Sequence, residues 1–231
     1  LRRLPDFRRS EGRMTRVIYI VRHGQTEWNA ARRMQGRRDS TLTALGRTQA
    51  DLHGRTLARE GGVDAVVASP LGRTRDTAAL VNAHLDAPLR FDDALMERDC
   101  GAWSGLTLDE IERAFPREWR ARADDPYHHR PPAGENLVDM EARVAALLDG
   151  LLTDVARRVA LVTHGVMSRV LVKRLLALAP VEAVTVRHPN ELVYRISVPE
   201  PGAAESAYFL EGQGPTPGLL RQNDSETIPR R

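Results

Sequence analysis

The sequence predicts an α/β layered domain built on buried parallel strands. Two observations predict it. Short apolar runs recur along the chain, "VIYIV" at 17–21, "AVVAS" at 65–69 and "ALVTH" at 160–164, and runs of this kind read as strands covered on both faces. Each run leads directly into helix-like sequence, and strands alternating with amphipathic helices argue for helices layered on a sheet. With 42% hydrophobic residues over 231 positions, the chain can bury one sizeable core.

The elements follow in order. Residues 1–13 hold five arginines against Asp6 and Glu11, a surplus equal to the whole chain's formal +3. They read as a disordered Arg-rich leader, so the overall basicity is poor evidence for a nucleic-acid surface. The domain proper is expected to run from 14 to 198. Its second strand ends at Ser69, a natural N-cap, with Pro70 suited to the first helical turn. Residues from about 100 to 135 break the rhythm with Trp103, Trp119, several prolines and "HHRPPAGEN". They are expected to form a helical cap insertion over the site, where Trp28, Trp103, Trp119 and Tyr127 offer apolar contacts. Leu137, Met140, Val144, Leu147, Leu151 and Val155 then recur every three or four residues, one stripe of a helix. "VMSRVLVKRLLALA" is apolar nearly all round and predicts a helix lying on the sheet. "ELVYRISV" at 191–198 alternates and predicts a late strand at a sheet edge. Residues 199–231, rich in Gly, Pro and polar types, read as an irregular tail.

Composition narrows the function. No run approaches the roughly 20 apolar residues of a membrane span, and the N-terminal region lacks a signal-like apolar core. Cys100 is the single cysteine, which excludes an internal disulfide and fits a reducing, cytoplasmic setting.

The chemistry gathers at strand ends. In parallel α/β sheets ligands bind beyond the carboxyl ends of the strands. There the sequence places Arg22 and His23, then Ser69 and Arg73, then His164. Gly24 and Gly165 allow close backbone approach after each histidine. Two arginines, two histidines and adjacent helix N-termini would make a site for a dianion, since the guanidinium fork matches phosphate oxygens. A neutral imidazole among cations is also a competent nucleophile toward phosphorus. The chain therefore ends its first strand in Arg-His-Gly to receive a phosphate. Plainer readings stand beside this one. Either histidine could be a hydrogen-bonded packing residue. A metal on His23 and His164 would lack a carboxylate or cysteine at ligand spacing. His128 and His129 read as a solvated loop, and Arg32, Arg33, Arg37 and Arg38 as a solvated charged face that could steer an anion.

Six blocks then carry a resemblance: "VRHGQTEWN", "MQGRRDSTLTALGRTQA", "SPLGRTRDTA", "LMERDCGAWSGLT", "GEN" and "LVTHG". In this order they resemble the histidine phosphatase superfamily, the phosphoglycerate mutase-like proteins, from about Val17 to Val198. The resemblance implies a three-layer α/β/α fold with a mostly parallel central sheet and a small helical cap. It implies that His23 is the phosphorylated nucleophile. Arg22, Arg73, His164 and Asn29 would hold the phosphoryl oxygens. Glu97, which the residues alone would leave on the surface, would be the general acid and then the base. Thr26, Gln35 and Gly36 would line the substrate side. No metal and no cofactor are implied.

Mutases and phosphatases share this core. The mutases resemble "ERHYGxLxGLxK" after the acid, whereas this chain has Cys100 at the Tyr, Trp103 at the Leu and Leu108 at the Lys. The paired cap arginines of mutases are also split, as Arg120 and Arg122 around Ala121. These departures predict that the second anion clamp is lost. The expectation is a metal-independent phosphatase acting on a small phosphorylated metabolite, with no nucleic-acid or membrane partner and a homodimer compatible with it. A bisphosphoglycerate-dependent mutase is the first rival. A non-catalytic phospho-ligand module is the second, and the presence of His23, Glu97 and His164 argues against it.

Overall fold

The computed structural model describes residues 14–200 and 202–222. The expected leader at 1–13 lies outside them. Among the described residues, seven strands share one sheet: β1 (Met14–Arg22), β2 (Ala65–Ala68), β3 (Leu89–Phe91), β4 (Arg158–Thr163), β5 (Leu192–Glu200), β6 (Glu205–Leu210) and β7 (Gln213–Pro217). Their order is β3-β2-β4-β1-β5-β6-β7. The first four run parallel to one another and the last three alternate antiparallel. The helices are α1 (Glu27–Ala30), α2 (Ala44–Arg59), α3 (Gly72–Asn82), α4 (Leu108–Ala114), α5 (Pro116–Asp124), α6 (Leu137–Thr153), α7 (Gly165–Leu176) and α8 (Pro180–Ala183).

Strand alternation builds two cores from one sheet. Ile18 and Ile20 of β1 meet Met140 and Val144 of α6 and Met167 and Val170 of α7 on one face. Tyr19 and Val21 meet Leu57 of α2 and Ala78 and Val81 of α3 on the other. Each fully buried aliphatic side chain contributes roughly 1.5–3 kcal/mol, so β1 anchors both layers. The result is the expected three-layer α/β/α sandwich, parallel at its centre.

Four details differ from the sequence reading. The α6 stripe ends at Leu151, because the helix stops at Thr153 and leaves Val155 93% exposed. α3 starts three residues after Ser69: its N–H groups at Gly72 and Arg73 are capped by the Asp39 carboxylate, at 2.6 and 3.4 Å. β5 is interior, paired with β1 and β6, and Leu192, Val193 and Tyr194 are all buried. The region expected to be an irregular tail instead supplies β6 and β7, joined by a tight turn at Glu211 and Gly212, both with positive φ.

Between β3 and α6, α4 and α5 build a small separate core. Trp103 is fully buried there with Ile111, and Trp119 packs edge-on to it at 6.2 Å. His129 stacks on the same indole at 5.5 Å. Trp103 therefore holds this region together rather than offering a contact to a ligand, and Tyr127 belongs to the main core.

Candidate active site

Chain turns at the carboxyl ends of β1, β2 and β4 set the site. His23 extends the β1–β4 ladder by donating its N–H to the Thr163 carbonyl at 2.9 Å, and the Asn190 amide donates to the His23 carbonyl at 2.7 Å. Immediately afterwards Gly24 passes so close to α2 that a Cβ would lie 2.1 Å from the Gly46 carbonyl oxygen. Only glycine fits. A Cβ on Gly165 would lie 3.2 Å from the Arg22 guanidinium carbon, so the bare backbone there makes room for the arginine.

His23 is 3% exposed, and its Nδ1 lies 2.8 Å from the Gly24 carbonyl oxygen. A carbonyl can only accept, so Nδ1 carries the proton and Nε2 keeps a free lone pair. Burial pushes the imidazole pKa well below the usual histidine value, with Arg73 and then Arg22 pushing the same way. The ring is thus neutral and nucleophilic at physiological pH. The His164 ring stands 5.3 Å away at 61°, and burial, Arg73 and His23 likewise keep it neutral. Its Nε2 lies 2.8 Å from Ser69 Oγ. That hydroxyl accepts the Leu71 N–H at 3.4 Å, and the ring nitrogen is the acceptor within its reach. Ser69 then donates to Nε2, leaving the ring proton on Nδ1, a buried donor with no protein partner.

The arginines are fixed by carbonyls more than by carboxylates. Arg22 donates to the His188 carbonyl at 2.6 Å, and burial pulls its pKa to about 10, which still leaves it charged. Arg73 is 2% exposed and donates to the carbonyls of Gly36 and Arg38, both at 2.8 Å, and to Asp39 at 2.7 Å. The Nε–H groups of both arginines are buried without a partner. Together with His164 Nδ1 they are three buried nitrogens without a protein partner, on residues that surround His23, the kind of donor that phosphoryl oxygens take.

Glu97 sits at the N-terminus of α7. Its oxygens accept the N–H groups of Arg98 at 2.8 Å, Val166 at 3.1 Å and Met167 at 3.2 Å. A cavity of about 170 Å³ brings Arg22, His23, Asn29, Arg73 and Glu97 together, with Gln35 and Gly36 on its wall. The Asn29 Oδ1 accepts the Thr26 N–H at 3.1 Å, so its amide N–H₂ is left for the cavity. Thr26 departs from expectation. It is fully buried as the N-cap of α1, and Gln35 donates to its hydroxyl at 2.7 Å, so it braces the wall from behind.

Three features escaped the sequence reading. Asp39 pins Arg73 from a loop 34 residues away. Ser69 orients His164 across 95 residues. The third is a larger cavity next to the first, lined by Arg98, Arg122, Arg169 and Arg187. Leu108, at the position of the mutase lysine, is instead 49% exposed on α4. Of the Arg32–Arg38 face, Arg33 lies on the wall of the phosphoryl cavity while pairing with Glu110 at 3.0 Å, and Arg37 pairs with Glu135 at 2.9 Å on the surface.

Comparison with known proteins gives this geometry a context. The family described as "Histidine phosphatase superfamily (branch 1)" matches residues 18–208. "Probable phosphoglycerate mutase GpmB" of Salmonella paratyphi B is 34% identical over 198 residues, 85% of this chain and 92% of that protein. The structure of a mycobacterial glucosyl-3-phosphoglycerate phosphatase with VO3 is 32% identical, with a TM-score of 0.72 over 78% of this chain and 92% of that one. Bacillus stearothermophilus YhfR is 27% identical, with a TM-score of 0.72 over 89% of this chain and 96% of that one. The α/β fold, the strand-end site and the extent of the match agree, and the chain belongs to the histidine phosphatase superfamily, branch 1.

Proposed function

We propose that the chain is a phosphatase that hydrolyses small phosphate monoesters through a phosphohistidine on His23, without a metal or organic cofactor. One observation carries this reading: a neutral His23, its proton committed to Gly24, keeps Nε2 free on the wall of a cavity that Arg22, Arg73 and Glu97 also line, with the His164 ring 5.3 Å away. In the first step Nε2 forms a bond to phosphorus as the ester P–O bond breaks, and Glu97 gives its proton to the leaving oxygen. The Gly24 carbonyl, holding Nδ1–H, stabilises the positive charge that develops on the ring. In the second step Glu97 takes a proton from water, whose oxygen displaces His23 from phosphorus and releases inorganic phosphate. The cationic and N–H groups supply the positioning and charge neutralisation that phosphoryl transfer requires.

The likeness to a named phosphatase at 32% identity supports hydrolysis, as do Cys100, Trp103 and Leu108 at the three mutase-specific positions. The arginine-lined cavity favours a second reading, a mutase that keeps its anionic intermediate bound. One reaction with 3-phosphoglycerate, followed for inorganic phosphate and for 2-phosphoglycerate by an enolase-coupled readout, decides between them. Phosphate release without bisphosphoglycerate, undiminished by EDTA, is expected. Isomerisation that outruns hydrolysis and needs bisphosphoglycerate would establish the mutase.

A further inference from the structure

One of the six sequence blocks, "GEN" at 134–136, has no role in the two steps at His23. Its loop closes on the segment that carries Glu97. That segment, 96–100, follows a single 3-10 turn at Asp93–Leu95 and has no helix or strand of its own to fix it. Gly134 passes so near it that a Cβ would lie 2.5 Å from the Asp99 carbonyl oxygen, and one on Gly101 would lie 2.1 Å from that of Pro132. Glu135 then meets Asp99 twice. Its N–H donates to the Asp99 carbonyl at 2.9 Å, and its Oε2 accepts the Asp99 N–H at 2.9 Å.

Arg143 on α6 completes the hold. Its fork meets Glu135 with two bonds, Nε to Oε1 at 3.2 Å and Nη2 to Oε2 at 3.1 Å. The remaining nitrogen, Nη1, donates to the carbonyls of Asp93, Ala94 and Met96 at 3.2, 2.9 and 3.1 Å. Arg37 adds a bond to Glu135 Oε1 at 2.9 Å. The backbone is thus pinned one residue before Glu97 and two residues after it. From there the Glu97 carboxylate reaches the Val166 and Met167 N–H groups of α7. The side chains of Arg143 and Glu135 are 19% and 17% exposed, so water competes little for their bonds. The nucleophile and its arginines have other anchors: Thr163 and Asn190 for His23, His188 for Arg22, and Gly36, Arg38 and Asp39 for Arg73.

We infer that Glu135 and Arg143 are positioning residues for the acid step, holding the backbone of 96–99 so that the Glu97 carboxylate meets the leaving oxygen. This rests on the reading of Glu97 as the leaving-group acid. Proton transfer in the transition state demands close geometry, and a misplacement of about 1 Å can cost ~10²-fold. Attack by His23 needs no such proton when the leaving group departs as a stable anion. Loss of the clamp therefore shows in how the rate depends on the leaving group.

Two esters and a double-mutant cycle test it. Glu135→Ala and Arg143→Ala should each lower kcat/KM for glycerol 3-phosphate about tenfold more than for p-nitrophenyl phosphate. Glu135→Gln keeps an oxygen for the Asp99 N–H and should recover part of that ratio. In a Glu97→Gln background, Glu135→Ala should lower the ratio no further, because the acid it serves is gone. Thermal melts identify any variant that has lost its fold. Where the Ala variants have, Glu135→Gln and Arg143→Lys decide, with a selective loss of about threefold expected. A clamp that serves only the fold would lower both rates equally. Equal losses, or a further selective loss in the Glu97→Gln background, would overturn the inference. Should neither ester be hydrolysed, the phosphatase reading fails alone. Hydrogen exchange then reads the clamp: the Val166 and Met167 amides should exchange severalfold faster in Glu135→Gln while those of β4 do not change, and unaltered exchange would refute it.

Discussion

Replacing Glu97 with glutamine disturbs a proton and a helix cap at once. The N-cap residue of α7, His164, makes no side-chain bond to the first turn. Glu97 caps it from outside, accepting the Val166 and Met167 N–H groups while also holding that of Arg98. A carboxamide has a single acceptor oxygen, so it must turn its N–H₂ toward one of these donors. The loss is about one hydrogen bond, ~1 kcal/mol, plus ~0.3–1 kcal/mol for negative charge at a helix N-terminus. Stability should fall by about 1–2 kcal/mol, or roughly 2–8 °C in Tm for a domain of this size. That cost is the same whichever ester is bound. Loss of a general acid is not, because it costs about 10²–10⁴ in rate where the leaving group needs a proton. p-Nitrophenolate leaves without one, whereas the alkoxide of a glycerol phosphate does not. Since kcat/KM reports through the first irreversible step, the later role of Glu97 as base toward water does not blur the comparison. The assay is kcat/KM for both esters in wild type and Glu97→Gln, with thermal melts alongside. A loss at least tenfold larger on the alkyl ester is expected. Equal losses would refute the acid role and leave Glu97 as a cap alone.

Other outcomes follow from the same contacts. Asp39→Ala removes both the α3 cap and the carboxylate on Arg73, and should cost about 2–3 kcal/mol and weaken inorganic phosphate inhibition; Asp39→Asn, which keeps a capping oxygen, should recover most of the stability but not the inhibition. Unchanged phosphate affinity in both would detach Asp39 from the site. Burial holds His53 neutral with a pKa near 4 and His188 with one near 3, whereas an unfolded histidine titrates near 6.5. The unfolded chain therefore takes up protons that the folded chain refuses. Stability from these two is full above pH 6.5 and falls toward the folded values by ~1.4 kcal/mol per pH unit for each. Urea melts should lose roughly 3–4 kcal/mol between pH 7 and 5 from this pair. His53→Gln should remove about half of that loss, and a pH-independent midpoint would contradict the assignment.

Much of this fold could be read from short-range patterns. Apolar runs gave β1, β2 and β4 because central parallel strands are covered on both faces, and the 3–4 spacing gave α6 because one helix face meets the sheet. Most of the misses come from long-range partners. Ser69 looks like a cap for the helix that follows, yet His164 claims its hydroxyl and Asp39 takes over the capping. β5 reads as an edge strand by its alternation, yet β6 covers its far side, and β7 was hidden by the Gly and Pro of "QGPTP". At the site, His23, Arg22, Arg73 and His164 were legible because strand ends place them. Glu97 came from the resemblance alone, since nothing local marks a carboxylate that will reach α7. The arginine cavity was not legible at all. Its four members come from four separate segments, and Arg120, the neighbour that sequence pairs with Arg122, faces solvent instead.

The central claim is that His23 itself carries the phosphoryl group. Wild-type protein mixed with a 32P-labelled phosphate ester, quenched within milliseconds in alkaline detergent and digested with trypsin, tests it directly. Cleavage after Arg22 and Arg32 isolates the peptide from His23 to Arg32. Label should appear on that peptide, stable in alkali and lost in acid as expected for an N–P bond, and both label and turnover should vanish in His23→Ala while the fold persists. Label on another peptide, or turnover that survives in His23→Ala, would contradict the account.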